Sequence, residues 1–143
     1  MNAKKRYFTP DQASAMLPLV QAIVKDITEL AQALRDRHVR LDRLQHGGVG
    51  KGIISAAELE EEQAVWERDS KRLQTCVEEL ADLGVEMKDL FMGLVDFPCW
   101  RDGREICLCW KLGEPQLDWW HETDTGFAGR RRLESGVLAG PKV

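Results

Sequence analysis

Apolar residues in the first half of the chain recur at alternating steps of three and four positions, the spacing of a packed α-helix or a coiled coil. One such stripe begins after Thr9, the first residue of a Thr-x-x-Gln capping box, and continues to about Gln45. A second stripe begins after Ser55, which opens another capping box, and ends at Gly84, a residue suited to the left-handed end of a helix. We therefore predict an antiparallel helical hairpin over residues 10–83.

After Gly84 the apolar period shortens to two, which is typical of β-strands. Residues 95–101 and 104–112 flank Asp102-Gly103, a dipeptide that favours the two-residue turn of a β-hairpin. A further strand is predicted at residues 117–122, and a weaker one precedes the hairpin just after residue 84. The pattern predicts an α+β fold, in which a long antiparallel helical hairpin packs on a small antiparallel β-meander of three to four strands.

The chain has 143 residues, the usual size of one domain, and it contains no internal repeat or linker. We predict a single α+β domain over residues 1–133, with the hairpin at 10–83, the meander at 85–132, and a frayed tail at 134–143.

The chain carries a formal net charge of −4, which argues against a general electrostatic grip on nucleic acid, although residues 130–132 are three consecutive arginines. No apolar run is long enough to span a membrane, and no export signal is recognisable. The four cysteines include no Cys-x-x-Cys pair, so we expect reduced thiols and a cytoplasmic location.

The turn at Asp102-Gly103 sets the predicted register of the sheet, because it places Val95 opposite Trp110. We assume that Leu112 faces Leu117 across the next turn; a slip of one residue there would exchange the two faces of the last strand. The predicted core face, which covers the helices, carries Val95, Phe97, Cys99, Ile106, Leu108, Trp110, Leu112, Leu117, Trp119 and His121. The predicted opposite face, more polar but rich in Trp and Cys, carries Asp96, Trp100, Glu105, Cys107, Cys109, Lys111, Asp118, Trp120 and Glu122.

Helix length implies a partner. A helix over residues 10–45 would be about 50 Å long, whereas strands this short span only about 20–30 Å. The hairpin should therefore project beyond its sheet, and a second copy of the chain could cover the projecting apolar stripe. We expect a homodimer formed through the helical hairpin.

Two long segments resemble a known bacterial family, RYFTPDQASAMLPLVQAIVKDI and GLVDFPCWRDGREICLCWKLGEPQLDWWHETDTGFAGR. Together the phrases GLVDFP, DGRE, LCWKLGEP, WHE and GFAGR are similar to the uncharacterised family called domain of unknown function 2203. Cys99, Cys107 and the HGGVGKG loop depart from the family pattern. The resemblance covers nearly the whole chain and implies a helical hairpin with a small sheet, but it brings no established activity.

The segment WHETDTGFAGR holds most of the candidate chemistry. His121 is interpreted as a hydrogen-bonded core residue, or alternatively as an acid or base near neutral pH assisted by Asp124 or Arg130. Backbone amides of the Gly-x-x-Gly turn beside the Arg130 guanidinium suit a small anion such as a carboxylate or phosphate. They equally suit an internal carboxylate, such as that of Asp96 or Glu122. The candidate ligand-binding residues are His121, Asp124, Arg130, Asp96 and Trp120.

Two other motifs receive the plainer interpretation. Cys107 and Cys109 share a predicted face with Asp96 and Glu122, but we favour packed free cysteines over a zinc site, and we expect no cofactor. The segment HGGVGKGIIS at residues 46–55 has a Gly-Lys pair but lacks the remaining residues of a phosphate-binding loop, so we interpret it as a flexible interhelical loop.

The sequence leaves the function open between two classes. The favoured hypothesis is a non-enzymatic, homo-oligomeric binding or interaction module. The alternative is a small enzyme or metal-dependent protein with a site at the C-terminal Trp/His/Asp/Arg segment.

Overall fold

The computed structural model describes residues 5–47 and 55–133. Two helices precede a five-stranded antiparallel sheet in which the strands lie side by side in chain order. This confirms the α+β fold with helices packed on a meander, and adds one strand to the predicted upper limit of four. The predictions for residues 48–54 of the interhelical loop and for the tail at 134–143 lie outside the described residues. The elements are α1 (Pro10–Gly47), α2 (Ala56–Leu83), β1 (Glu86–Asp89), β2 (Leu94–Arg101), β3 (Arg104–Lys111), β4 (Trp119–Glu122) and β5 (Arg131–Arg132).

Both helices begin at the predicted capping boxes. The Thr9 hydroxyl accepts a hydrogen bond from the Gln12 amide at 3.1 Å, and the Gln12 side chain accepts one from the Thr9 amide at 3.0 Å. The Ser55 hydroxyl accepts a hydrogen bond from the Glu58 amide at 3.1 Å. Helix α2 ends at Leu83 and is capped by Gly84, whose φ of 92° is left-handed and therefore costs glycine little.

The hairpin shares a core with the sheet along only part of its length. That core takes its α1 members from the stretch between Ala13 and Ile27, and its α2 members from the stretch between Leu73 and Leu83. Farther along α1, Leu30, Ala31 and Leu41 are also buried. The Arg37 and Arg40 side chains both form ion pairs with Glu62 of α2, which ties the outer parts of the two helices together.

The register between β2 and β3 agrees with the prediction. Asp102 and Gly103 have φ values of 51° and 77°, as the two-residue hairpin turn requires. Val95 consequently pairs with Trp110 and Cys99 with Ile106, so Val95 and Ile106 enter the core beneath the helices. Asp96, Cys107 and Cys109 lie on the opposite sheet face, as expected.

The predicted register between β3 and β4 is wrong by one residue. Leu108 pairs with Trp120, and Cys107 pairs with His121, where the prediction paired Leu108 with His121. The reason lies in the turn that joins the strands, which is organised around Glu114. Its amide donates to the Lys111 carbonyl at 3.0 Å, its carboxylate accepts from the Lys111 amide at 2.7 Å, and its carbonyl accepts from the Trp110 indole at 3.0 Å.

This shift exchanges the faces of β4, because successive side chains of a strand point to opposite faces. Trp120, predicted to lie on the polar face, is 8% exposed and belongs to the core. Trp119 and His121, predicted to be core residues, lie on the face of Cys107 and Cys109. Glu122 moves away from the cysteines and pairs across the sheet with Ile106.

The fifth strand was not predicted. Arg131 and Arg132 pair with Trp120 and Trp119 at the edge of the sheet. Two consecutive arginines carry no β-strand signal, and the preceding short helical turn, Phe127–Gly129, returns the chain to this edge.

Candidate functional site

Three neighbouring strands bring an acid, a thiol and an imidazole together on the sheet face opposite the helices. Asp96 comes from β2, Cys107 from β3 and His121 from β4, and all three residues are buried. A carboxylate oxygen, the Sγ atom and an imidazole nitrogen all lie within 4.8 Å of one another. We call these three residues the Asp-Cys-His cluster.

The hydrogen bonds of His121 fix the orientation of its ring. Its Nδ1 lies 2.6 Å from the Glu122 carbonyl oxygen, which can only accept a hydrogen bond, so Nδ1 carries a proton. Its Nε2 lies 3.0 Å from Oδ1 of Asp96. The carboxylate and the ring nitrogen share one proton across this contact, since two lone pairs would otherwise face each other in a buried place.

Burial determines the state of the two neighbouring thiols. It raises the pKa of Cys107 to about 12, and the negative charge of Asp96 acts in the same direction. Burial likewise raises the pKa of Cys109 to about 12, with smaller contributions from Asp96, including a hydrogen bond to its carboxylate. Both side chains are therefore neutral thiols when nothing positive is bound beside them, and neither belongs to a disulfide.

Arg130 is engaged by an internal carboxylate, as one of the two sequence interpretations expected, but its partner is neither Asp96 nor Glu122. Its guanidinium donates to both carboxylate oxygens of Glu114, at 2.7 and 2.8 Å. The guanidinium carbon also lies 4.8 Å from the ring centroids of Trp119 and Phe127. The positive charge of Arg130, which the sequence suggested for binding a small anion, is thus already neutralised by the Glu114 carboxylate.

The remaining candidates are dispersed. Trp120 is in the core with the Arg131 guanidinium over its ring, so it does not share a face with His121. Asp124 is exposed in the turn after β4. Glu122 forms an ion pair with Arg104. Of the five predicted ligand-binding residues, the structure therefore brings together Asp96 and His121.

Sequence reasoning missed the proximity of Cys107 to His121. The one-residue slip that places them together was recognisable as an alternative, but no residue pattern selected it. It also missed a groove near the outer end of the hairpin, where Trp66 is half-buried and its buried indole N–H has no hydrogen-bond partner among the described residues.

Neither described helix has an apolar stretch that would let it cross a membrane. No curated protein and no solved structure matches the chain. A family model described as "Uncharacterized conserved protein (DUF2203)" matches residues 6–133, which include both helices and the whole sheet. The chain therefore belongs to the DUF2203 family of uncharacterized conserved proteins.

Proposed function

We propose that this chain is a non-enzymatic, homo-oligomeric binding or interaction module that associates through its helical hairpin. The observation that carries the proposal is the hairpin's extent beyond the core that it shares with the sheet. Helix α1 has 38 residues and is about 57 Å long, yet its members of the shared core end at Ile27.

The part of the hairpin farthest from the sheet, residues 36–47 and 56–68, is here called the outer hairpin. It contains a groove with a volume of about 350 Å³ between the helices. Its aromatic residue, Trp66, is half-buried, and its buried indole N–H has no hydrogen-bond partner among the described residues. The groove is lined by His38, Leu41, Asp42, Gln63, Trp66 and Glu67.

A second copy of the chain is the occupant that these features suit. Val39 follows His38, a lining residue of the groove, on α1 and is 50% exposed, so a partner hairpin seated there could cover it. The ion pairs of Arg37 and Arg40 with Glu62 hold the two helices at a fixed spacing, which favours a preformed surface over an adaptable one. Two hairpins related by a two-fold axis would form a four-helix bundle.

Sedimentation at micromolar concentration tests the proposal. The expected mass is twice the 16.3 kDa of one chain. Val39→Glu should shift the protein to the monomer, because it places a charge at the covered position. The matched control is Leu19→Glu, since Leu19 is equally exposed at 51% but lies on the part of α1 above the sheet. A monomeric wild type, or equal dissociation of both variants, would contradict the proposal.

The four free cysteines fit a reducing compartment, so we infer a cytoplasmic location for the module. The enzymatic alternative gains little from the geometry, because Asp124 and Arg130 lie apart from His121. The Asp-Cys-His cluster is the part of that alternative that retains a chemical basis.

A further inference from the structure

We propose that Asp96, Cys107 and His121 bind a Zn²⁺ ion. Their ligand atoms come from three adjacent strands and lie within 4.8 Å of one another. Zinc bonds of about 2.0–2.3 Å in a tetrahedral arrangement require ligand atoms about 3.3–3.8 Å apart. The separations of up to 4.8 Å exceed these values by at most about 1.5 Å, so binding would draw the three side chains toward a common centre.

The donor set selects the class of metal. A thiolate, an imidazole and one carboxylate are the ligands that zinc takes in proteins. Calcium and magnesium require six or more oxygen ligands, and the cluster supplies a single carboxylate. The sequence interpretation had considered Glu122 in this role, but the observed register places Glu122 on the other face, and His121 takes its position.

Charge balance explains how a divalent ion can occupy a buried place. Without metal the cluster is neutral, because Cys107 is a thiol and one proton is shared between Asp96 and His121. A bound Zn²⁺ ion would replace the thiol proton and the shared proton, and two protons would leave to solvent. The loaded cluster then holds a thiolate, a carboxylate and a neutral imidazole. The two negative charges of the thiolate and the carboxylate balance the two positive charges of the ion.

The surroundings of His121 already have the form of a metal site. Its Nδ1 donates to the Glu122 carbonyl at 2.6 Å, which directs Nε2 toward Asp96. Zinc-bound histidines characteristically use their second nitrogen in this way, and the bond fixes both the tautomer and the ring orientation. The hydrogen-bonded strands provide the rigid support that a metal site needs.

The fourth zinc position would lie among groups on the same sheet face. Cys109 follows Cys107 by two residues on β3 and lies on the same face, so its thiol is one candidate for that position, with a water molecule as the other occupant. Three ligands from the cluster are sufficient for the proposal, because zinc sites with three protein ligands and one water are common.

Binding should be measured on the full chain, stripped with a chelator and kept reduced with a phosphine. Titration with Zn²⁺ against a chromophoric competitor gives the stoichiometry and Kd. We expect one ion per chain. Cys107→Ser should weaken binding by more than about 100-fold, since even the loss of an outer partner of a zinc ligand costs about 10–100-fold.

Cys99→Ser is the matched control. Cys99 is also buried, at 4% exposure, but it lies on the face toward the helices. The Cys99→Ser variant should therefore bind zinc as tightly as the wild type does. Circular dichroism establishes that each variant is folded. The proposal is overturned if the wild type binds no zinc, if Cys107→Ser binds as tightly as the wild type, or if both variants weaken equally.

A second measurement keeps the test decisive if Cys107→Ser fails to fold. Cobalt(II) added to the Cys76→Ser/Cys99→Ser protein should give the near-ultraviolet thiolate-to-cobalt band and the visible bands of tetrahedral cobalt. Absence of the thiolate band would overturn the proposal. The result is independent of the proposed dimer, because the outer hairpin contributes no residue to the cluster.

Discussion

Two adjacent tryptophans test the observed register of the last long strand. Trp120 is 8% exposed and packs in the core shared by helices and sheet. Trp119 is half-buried on the opposite face, where the Arg130 and Arg132 guanidinium carbons lie 4.8 and 5.4 Å from its ring centroid. Truncation to alanine should therefore have very different consequences at the two positions.

The expected magnitudes follow from these surroundings. Trp120→Ala leaves a cavity in a packed core, a change that typically costs about 3–5 kcal/mol. Trp119→Ala leaves no cavity in the core and loses two cation–π contacts worth about 0.5–1 kcal/mol each at exposed sites, so we expect about 1–2 kcal/mol. The difference of about 2 kcal/mol corresponds to about 7 °C in Tm for a chain of this length.

Urea unfolding followed by far- and near-ultraviolet circular dichroism measures both free energies, and coincident transitions would justify a two-state treatment. The register inferred from sequence alone placed Trp119 in the core and Trp120 outside it, and so predicts the reverse order. A larger loss for Trp119→Ala, or equal losses, would refute the observed register and the site built on it.

Three further predictions concern other parts of the sheet. Gly93→Ala should cost about 3 kcal/mol and Gly113→Ala about 1 kcal/mol in urea unfolding. Both glycines have positive φ, but a Cβ at position 93 would lie 2.7 Å from the Leu112 Cβ, whereas one at position 113 meets nothing within 4 Å. Equal losses of stability would contradict this reasoning. A double-mutant cycle of Arg130→Ala and Glu114→Ala should give a coupling energy of about 1–2 kcal/mol, because Nη2 of Arg130 contacts both Glu114 oxygens and the two side chains are only 10% and 19% exposed; a coupling near zero would argue against the pair. Hydrogen bonds from Lys5 and Tyr7 lower the pKa of Glu105 below its ordinary value of 4.5. Its carboxylate therefore stabilises the fold above that pH, and this stabilisation is lost as the pH falls through the lowered pKa. Glu105→Gln should therefore make Tm fall less steeply at acid pH. The free energy involved is less than about 1 kcal/mol, because the Lys5–Glu105 pair is partly exposed, and an unchanged fall of Tm would contradict this assignment.

The helical half of the fold was predictable because its signals are local. A capping box such as that of Thr9 and Gln12 satisfies its own backbone groups within four residues, whatever the rest of the chain does. The same holds for Gly84 and for the turn at Asp102-Gly103, where a positive φ is required. Each of these predictions depended on neighbours in sequence, and each agrees with the structure.

The register of β4 was unpredictable for the opposite reason. It depends on how Glu114 folds the preceding turn, and the Glu114 carboxylate is held by Arg130, which lies 16 positions later in the chain. The fifth strand likewise forms only because Arg131 and Arg132 find an edge created by β4. A two-residue strand carries no period of its own, so no sequence pattern could reveal it.

The Glu114 turn therefore helps to determine which donors the cluster contains. With the register inferred from sequence, His121 would face the helices, and Asp96 and Cys107 would have Glu122 beside them. With the observed register, His121 joins them and Glu122 leaves, although no residue of the cluster has changed. Arg130 was a candidate for binding an external anion. Its guanidinium instead binds Glu114, within the turn that precedes the strand carrying His121.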